Sequence, residues 1–119
     1  DMLGKPYRYG GASPKGFDCS GLVWYSHHKA GIAVPRTARK QMSAAQPVGA
    51  RELHPGDLVF FRIGAARSYH VGIYLGDGAF IHAPSSGGTV SRASLENRYW
   101  HKRLVGKGNY YQSALTGAD

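Results

Sequence analysis

The chain has 119 residues, which suits one domain with a single modest core and is too short for two. Its 42% hydrophobic and 18% charged residues are ordinary for a globular domain and exclude a disordered or low-complexity chain. A formal charge of +8 would attract polyanions, and the apolar stretches are far shorter than the ~20 residues that a membrane helix needs.

Two features of the composition narrow the function classes. The fifteen Lys and Arg residues are spread along the chain rather than gathered in one tail or stripe, which weighs against a nucleic-acid module. A single cysteine cannot form an internal disulfide, so Cys19 is a free thiol that needs its own explanation. The sequence opens at Asp1 with no charged and apolar leader, and we expect any export signal to lie outside it.

The first part of the chain predicts two helices after an irregular start. Residues 1–3 have the pattern of a helix tail, and the Gly-rich stretch that follows predicts a loop. Asp18 suits the N-cap of a helix over 20–30, which places Cys19 in its first turn. The positive end of a helix favours the thiolate, so we expect a lowered thiol pKa there. Thr37 can cap a second helix to about residue 45.

The remainder of the chain predicts an antiparallel sheet. Helices first and strands afterwards is an α+β order, and we interpret residues 1–119 as one domain with a loose polar tail at 113–119. The predicted strands cover residues 58–61, 69–75, 79–83, 88–92 and 100–105.

Two histidines converge in the predicted hairpin. If residues 76–78 form a three-residue loop, His70 faces Pro84, and His82 is its diagonal neighbour on the same face at about 7–8 Å. Alternation puts His70 on the less apolar face of its strand, with Val71 on the other.

This combination suits nucleophilic catalysis. The base must reach the nucleophile, and a third polar group fixes the tautomer and orientation of the base. Cys19, His70 and His82 fit those three roles in that order. Taken singly, each also has a simpler explanation: a buried structural cysteine, a strand residue at a wet edge and a satisfied core histidine.

Several segments carry a resemblance to a known family. Residues 16–23, preceded by 6–11, resemble the nucleophile segment of the NlpC/P60 family of cell-wall cysteine peptidases. The resemblance covers about residues 4–105 without a missing element. The other matching segments are similar to the stretch after the catalytic helix, the first core strand, the strand of the base and the strand of the third polar residue: 34–38, 55–61, 70–74 and 79–83.

The resemblance implies a papain-like α+β NlpC/P60 fold, with N-terminal helices packed on the antiparallel sheet. It implies cleavage of the bond between γ-D-glutamate and a diamino acid in the peptidoglycan stem peptide, through an acyl-enzyme on Cys19 and with no cofactor. It also implies action outside the cytoplasm, in the periplasm, in the cell envelope or as a secreted protein. An anionic cell-wall polymer becomes a candidate partner for the positive charge.

Four further residues in the matching segments have two explanations each. Tyr7 is the counterpart of an active-site tyrosine that could donate to the oxyanion, or it is a packing residue. Asp18 would bind the free α-amine of the substrate or serve only as an N-cap, and Ser20 would assist substrate binding or only cap the first turn. Arg36 would meet a substrate carboxylate or pair with a neighbouring side chain.

Other chemistry stays open at this point. The alternatives are another cell-wall cysteine amidase of the CHAP type, an acyltransferase with the same cysteine and histidine, and a catalytically idle wall-binding module. A zinc site with His70 and His82 is disfavoured, because no His-Glu-x-x-His or Cys-x-x-Cys spacing occurs. The other histidines match no motif and are expected at the surface: His27, His28, His54 and His101.

Overall fold

The computed structural model describes residues 2–48, 53–84 and 88–110, and the predicted tail at 113–119 lies outside them. Helices packed on an antiparallel sheet confirm the predicted α+β class. None of the helices in the described ranges is long and apolar enough to cross a bilayer. The helices are α1 Cys19–Lys29, α2 Ala38–Ala44 and α3 Arg98–Arg103. The strands are β1 Ala12–Ser13, β2 Gly16–Phe17, β3 Gln46–Pro47, β4 Leu58–Ile63, β5 Ser68–Gly76, β6 Ala79–His82, β7 Ser91–Ser94 and β8 Leu104–Asn109.

The two N-terminal helices begin where the sequence predicted. Asp18 caps α1, because its Oδ1 accepts a 2.6 Å hydrogen bond from the Gly21 backbone N–H. Thr37 caps α2 and accepts from the Lys40 N–H. An N-cap satisfies a backbone donor that has no partner inside the helix, so these bonds fix the residue at which each helix starts. Cys19 is therefore the first residue of α1.

Both faces of the six-stranded sheet are covered. The strand order is β3-β8-β4-β5-β6-β7, and every pair is antiparallel. On one face, α1 and α2 pack over Leu58 and Phe60 of the central strand β4. On the other face, Val59 and Phe61 pack with Trp100 of α3. The run Leu58 to Phe61 is apolar without interruption because each of its side chains is buried, whichever face it points to.

The N-terminal segment is more regular than predicted. Residues 2–3 are not helical, and β1 pairs with β2 through Ala12 and Phe17, so the prediction that two helices precede any strand was wrong. Phe17 gives the reason, since it is fully buried in a cluster with Leu22 and Val90. Long-range burial of one aromatic side chain holds two strands that are too short to show a periodicity in sequence.

The C-terminal part also differs from the prediction. The strand expected over 100–105 was wrong, because α3 extends to Arg103 and β8 follows it. Asn97 starts this helix: its Oδ1 accepts from two backbone N–H groups of the next turn at 2.8 and 3.4 Å, the second being that of Trp100. The strand expected over 88–92 is displaced towards the C-terminus, as β7.

The hairpin of β5 and β6 turns differently but reaches the predicted register. Asp77 and Gly78 have φ of 52° and 80°, and they form a two-residue turn rather than the predicted loop of three. Leu75 is then an extra residue that bulges from β5. Beyond the bulge, Ile73 pairs with Ile81, as a three-residue loop would also have paired them. The two histidines of the hairpin therefore remain diagonal neighbours.

Candidate active site

An open cavity of about 500 Å³ lies where the start of α1 meets the hairpin of β4 and β5. Five of the seven predicted site residues line this cavity. The other two are hydrogen-bonded to residues that line it: His82 to His70, and Arg36 to Asp18. The structure thus brings all seven predicted site residues into one neighbourhood. Those that line the cavity are Tyr7, Asp18, Cys19, Ser20 and His70.

The Cys19 thiol is half-buried at the first position of α1. Burial raises the pKa of the thiol, and the negative charge of Asp18 raises it further. Backbone hydrogen bonds from Val71, from Ser20 and from Cys19 itself lower the pKa, but the net direction is upward. The net shift is therefore opposite to the lowering that we expected from the helix terminus, because burial penalises the charged thiolate.

His70 and His82 form a buried, hydrogen-bonded pair. His70 Nε2 lies 2.8 Å from His82 Nδ1, and the two rings are nearly perpendicular, at 87°. The side chains are 2% and 4% exposed, so the wet-edge explanation of His70 is wrong. Burial and the neighbouring imidazole lower the pKa of His70 to about 3, and burial lowers the pKa of His82 to about 4. Both rings are neutral at neutral pH.

An aromatic enclosure keeps this pair dry. Trp100 stacks on His70 with ring centroids 5.4 Å apart, and meets His82 edge-on at 5.1 Å. Phe61 lies 6.2 Å from the His70 ring, and Phe80 lies 5.1 Å from the His82 ring. The face that the sequence predicted to be less apolar is thus covered by aromatic rings. Sequence reasoning missed Trp100, for which the only local signal was the Asn97 cap three residues earlier.

Arg36 organises the polar side of the cavity. Its Nη1 and Nη2 donate to Asp18 Oδ1 and Oδ2 at 3.1 and 3.2 Å, a bidentate ion pair. Nη1 also donates to Ser20 Oγ at 2.9 Å, and Nη2 donates to the Gly11 carbonyl at 3.2 Å. The pairing role that the sequence allowed for Arg36 is the one observed, and Asp18 serves as both N-cap and ion-pair partner.

Tyr7 combines packing with a place in the cavity. Its ring packs against the cluster of buried residues around Phe17, and its side chain lines the cavity with Cys19. Burial raises the pKa of the Tyr7 hydroxyl, and the charge of Asp18 and that of Cys19, when its thiol is ionised, raise it further. The hydroxyl therefore keeps its proton at neutral pH and can donate a hydrogen bond.

One of the four remaining histidines is not at the surface. His27 is buried, and its Nδ1 donates to the Val23 carbonyl at 2.9 Å, so the surface prediction was wrong for this residue. Over residues 2–48, 53–84 and 88–110, no three side chains of His, Cys, Asp or Glu are grouped as a metal site would require. The other three are exposed as predicted: His28, His54 and His101.

A thiol at the start of a helix and an oriented imidazole in one cavity form the arrangement typical of nucleophilic catalysis on an α+β domain. A sequence model of the NlpC/P60 family matches residues 4–109. The chain therefore belongs to the NlpC/P60 family, as the resemblance indicated.

Three known proteins illustrate the similarity. The chain is 47% identical over 110 residues to the murein DD-endopeptidase MepH of Escherichia coli (strain K12), covering 88% of this chain and 41% of that protein. It is 44% identical over 108 residues to the bifunctional muramidase/DL-endopeptidase CwlT of Bacillus subtilis (strain 168), covering 88% and 32%. The crystal structure of an NlpC/P60 family protein from Bacillus cereus ATCC 10987 has a TM-score of 0.83 at 34% identity, covering 92% and 36%. The chain spans less than half the length of each of these proteins.

Proposed function

We propose that this protein is a peptidoglycan endopeptidase that attacks an amide of the stem peptide with the Cys19 thiolate. The observation that carries the proposal is that Cys19 and His70 line one cavity while His82 Nδ1 lies 2.8 Å from Nε2 of His70. The names of the relatives, a murein DD-endopeptidase and a muramidase/DL-endopeptidase, support peptidoglycan as the substrate. Action outside the cytoplasm follows, because peptidoglycan lies there.

The hydrogen bond within the histidine pair sets the tautomer that catalysis requires. His70 Nδ1 must be unprotonated to accept the thiol proton, so Nε2 carries the hydrogen and donates to His82 Nδ1. His82 then carries its own hydrogen on Nε2. The role of His82 is therefore to hold one tautomer and one ring orientation of His70.

The reaction proceeds in two halves. The proton moves from Cys19 Sγ to His70 Nδ1, and the thiolate attacks the amide carbonyl. The oxyanion accepts hydrogen bonds from the Cys19 backbone N–H and from the Tyr7 hydroxyl. The His70 imidazolium then gives its proton to the leaving amine, which leaves an acyl-enzyme. In the second half, His70 takes a proton from water, and the resulting hydroxide releases the acyl group.

The bond that we propose as the target joins γ-D-glutamate to the diamino acid. The DL-endopeptidase activity in the name of CwlT supports this bond, whereas the DD-endopeptidase name of MepH favours a cross-link between two stems. Asp18 lines the cavity beside the nucleophile and supplies a carboxylate for the free α-amine of a stem peptide. Ser20 shares the Arg36 contact and would position the same end of the substrate.

Digestion of purified sacculi followed by mass spectrometry tests the proposal, with Cys19→Ala as the matched control. A DL cut leaves a disaccharide bearing only L-Ala-D-Glu and a peptide with a new diamino-acid N-terminus. A DD cut instead converts cross-linked dimers into intact monomer stems. Release of L-Ala-free disaccharide would point to a CHAP-type amidase, and an acylated amine product to an acyltransferase. Binding without any released fragment would make the protein an idle wall-binding module.

We also propose that the net charge of +8 assists binding to an anionic cell-wall polymer. Attraction between exposed charges is screened beyond about 10 Å at 0.1 M ionic strength, so binding to sacculi should weaken as salt rises. If binding does not change with salt, electrostatic attraction does not contribute to it. The assignment of the active site would be unaffected.

A further inference from the structure

We propose that Trp100 is a positioning residue for the catalytic imidazole, with its indole fixing the plane in which His70 exchanges protons. The proposal rests on the proposed function, since it assigns Trp100 a part in the same reaction. Trp100 is not assigned any contact with the substrate. It acts through His70 and His82 alone.

The hydrogen bond between the histidines is not enough to fix both rings. A single contact at Nε2 holds one edge of the His70 ring and leaves the ring free to tilt about that contact. The indole of Trp100 removes this freedom, because it lies at 24° to His70 and at 82° to His82. One rigid surface is therefore nearly parallel to one imidazole and perpendicular to the other, which sets the 87° angle between them.

The indole is itself held by the core of the sheet. It meets Phe61 edge-on at 4.9 Å and Phe80 at 5.5 Å, so two rings of the sheet and two imidazoles surround it. The Asn97 cap places Trp100 in the first turn of α3, which packs on β4. The orientation of the catalytic ring is thus connected to the core through an aromatic side chain thirty positions away in sequence.

The same contact keeps the imidazole pair free of water. His82 from β6 is bonded to His70, and the Cys19 thiol lies across the cavity on α1. The other titratable groups that line the same cavity are Asp18, Tyr7, Tyr9 and Tyr69. From β4 and α3, the rings of Phe61 and Trp100 pack against it. Removal of the indole would admit water to the face of both imidazoles, so the low pKa of each should return towards the ordinary value of about 6.5.

The chain offers a matched control for this test. Trp24 on α1 is half-buried like Trp100 and also stacks on a histidine, His28, with ring centroids 4.7 Å apart and an angle of 8°. His28 is exposed and has no part in the proposed reaction. Trp24→Leu therefore removes the same side chain and the same type of contact without touching the catalytic pair.

The experiment compares Trp100→Leu, Trp100→Phe and Trp24→Leu with the wild-type protein. Steady-state kinetics on a stem peptide give kcat and KM, and NMR titration of ¹⁵N-labelled imidazoles gives the pKa values, with signals assigned by single His→Gln variants. The titration needs no substrate, so it tests the positioning role even if the proposed hydrolysis is not found. Circular dichroism checks that each variant is folded.

We expect Trp100→Leu to lower kcat about 10- to 100-fold with little change in KM, as loss of an orienting contact does. The pKa values of His70 and His82 should rise in the same variant. Trp100→Phe should give intermediate values of kcat and of both pKa values, because a phenyl ring can cover only part of the pair. It also keeps the test decisive if Trp100→Leu does not fold.

Three outcomes would overturn the proposal. The first is a folded Trp100 variant, Leu or Phe, in which both imidazole pKa values and kcat match the wild type. The second is an equal loss of kcat in Trp24→Leu, which would show a general effect of stability. The third is a change confined to KM, which would place Trp100 in substrate binding instead.

Discussion

The two sides of the cavity are stabilised by different kinds of contact. The nucleophile side, residues 18–20 at the start of α1, is fixed by polar contacts, with Arg36 donating to Asp18, to Ser20 and to a loop carbonyl. On the imidazole side, a hydrogen bond joins the His70 and His82 side chains, and aromatic rings pack against both.

The difference follows from what each partner must do. A thiol gains from neighbouring backbone donors, because they stabilise the thiolate once the proton has left. The imidazole must be neutral to accept that proton, and burial keeps both rings of the pair in the neutral form. The polar side should therefore tolerate the loss of a single contact, whereas the imidazole side should lose activity when its aromatic enclosure or the hydrogen bond between the two histidines is altered.

The largest effect is expected from Cys19→Ala on the nucleophile side. Loss of the sulfur removes the only group that can form the acyl-enzyme, so hydrolysis should be abolished. The domain should remain folded, because only a small, half-buried side chain is removed. Fragment release from sacculi measures the activity, and circular dichroism checks the fold. Residual activity above a few per cent in an uncontaminated preparation would exclude Cys19 as the nucleophile.

The two histidines should show graded losses. His70→Ala removes the base and should be nearly inactive. His82→Ala leaves His70 without its Nε2 partner and should be intermediate. His82→Gln should be mildest, because the amide oxygen can still accept from His70 Nε2. Turnover of a γ-D-glutamyl-diamino acid peptide gives the order. Our assignment of His82 would be wrong if His82→Gln were as inactive as His70→Ala, or if His82→Ala matched the wild type.

The same contrast explains which parts of the site the sequence could predict. Asp18, Cys19 and Thr37 are local signals, because a cap acts on the helix that follows it within three residues. Strand alternation and hairpin register also predicted correctly that His70 and His82 are neighbours. The prediction holds although the turn is shorter than expected, because a bulge at Leu75 restores the register. The family resemblance added the fold and the substrate class to these local inferences.

The enclosure of the histidines could not be predicted in this way. Trp100 reaches His70 only because α3 packs across the far face of the sheet, and the contact joins residues thirty positions apart. The burial of His70 depends on that packing, and so does the direction of its pKa shift. For the same reason, the β1–β2 hairpin was missed, since it depends on the distant burial of Phe17.

Acid should weaken the fold through the imidazole side. The folded-state pKa values of about 3 for His70 and about 4 for His82 lie below the unfolded value of about 6.5. The unfolded chain therefore binds protons that the folded chain does not. The stability that these groups contribute is present above about pH 6.5 and is lost as pH falls towards 4 and 3. Buried His27 contributes to the pH dependence of stability with the same sign, because burial lowers its pKa.

Urea unfolding at several pH values measures this loss. We expect the free energy of unfolding to fall by on the order of 3 kcal/mol between neutral and acid pH because of His82. His82→Gln should remove that share of the pH dependence. Comparison with the variant is needed because carboxylates also titrate in this range. If the free energy of unfolding depended on pH in the same way in the wild type and in His82→Gln, the His82 imidazole would not be buried in its neutral form.

The smallest effect is expected on the polar side, from Arg36→Lys. An ammonium group cannot replace the two parallel bonds to Asp18 together with the contacts to Ser20 and Gly11. Because Arg36 is partly exposed, the free energy of unfolding should fall by only about 1 kcal/mol, and some activity should remain. Urea midpoints and turnover measure both. A loss of activity as large as that of His82→Ala would contradict the difference that we draw between the two sides.

We expect the unreacted protein to hold a neutral thiol and a neutral imidazole in the same cavity, because burial acts on both groups. The most direct test is the rate at which iodoacetamide alkylates Cys19 as a function of pH, followed by mass spectrometry. Cys19 is the only cysteine, so the signal is unambiguous. Burial raises the pKa of the thiol. We therefore expect the alkylation rate to rise only in the alkaline range, at a higher pH than for an ordinary thiol. A rate that is already high and constant at mildly acidic pH would reveal a thiolate–imidazolium ion pair in the unreacted protein and would contradict this expectation.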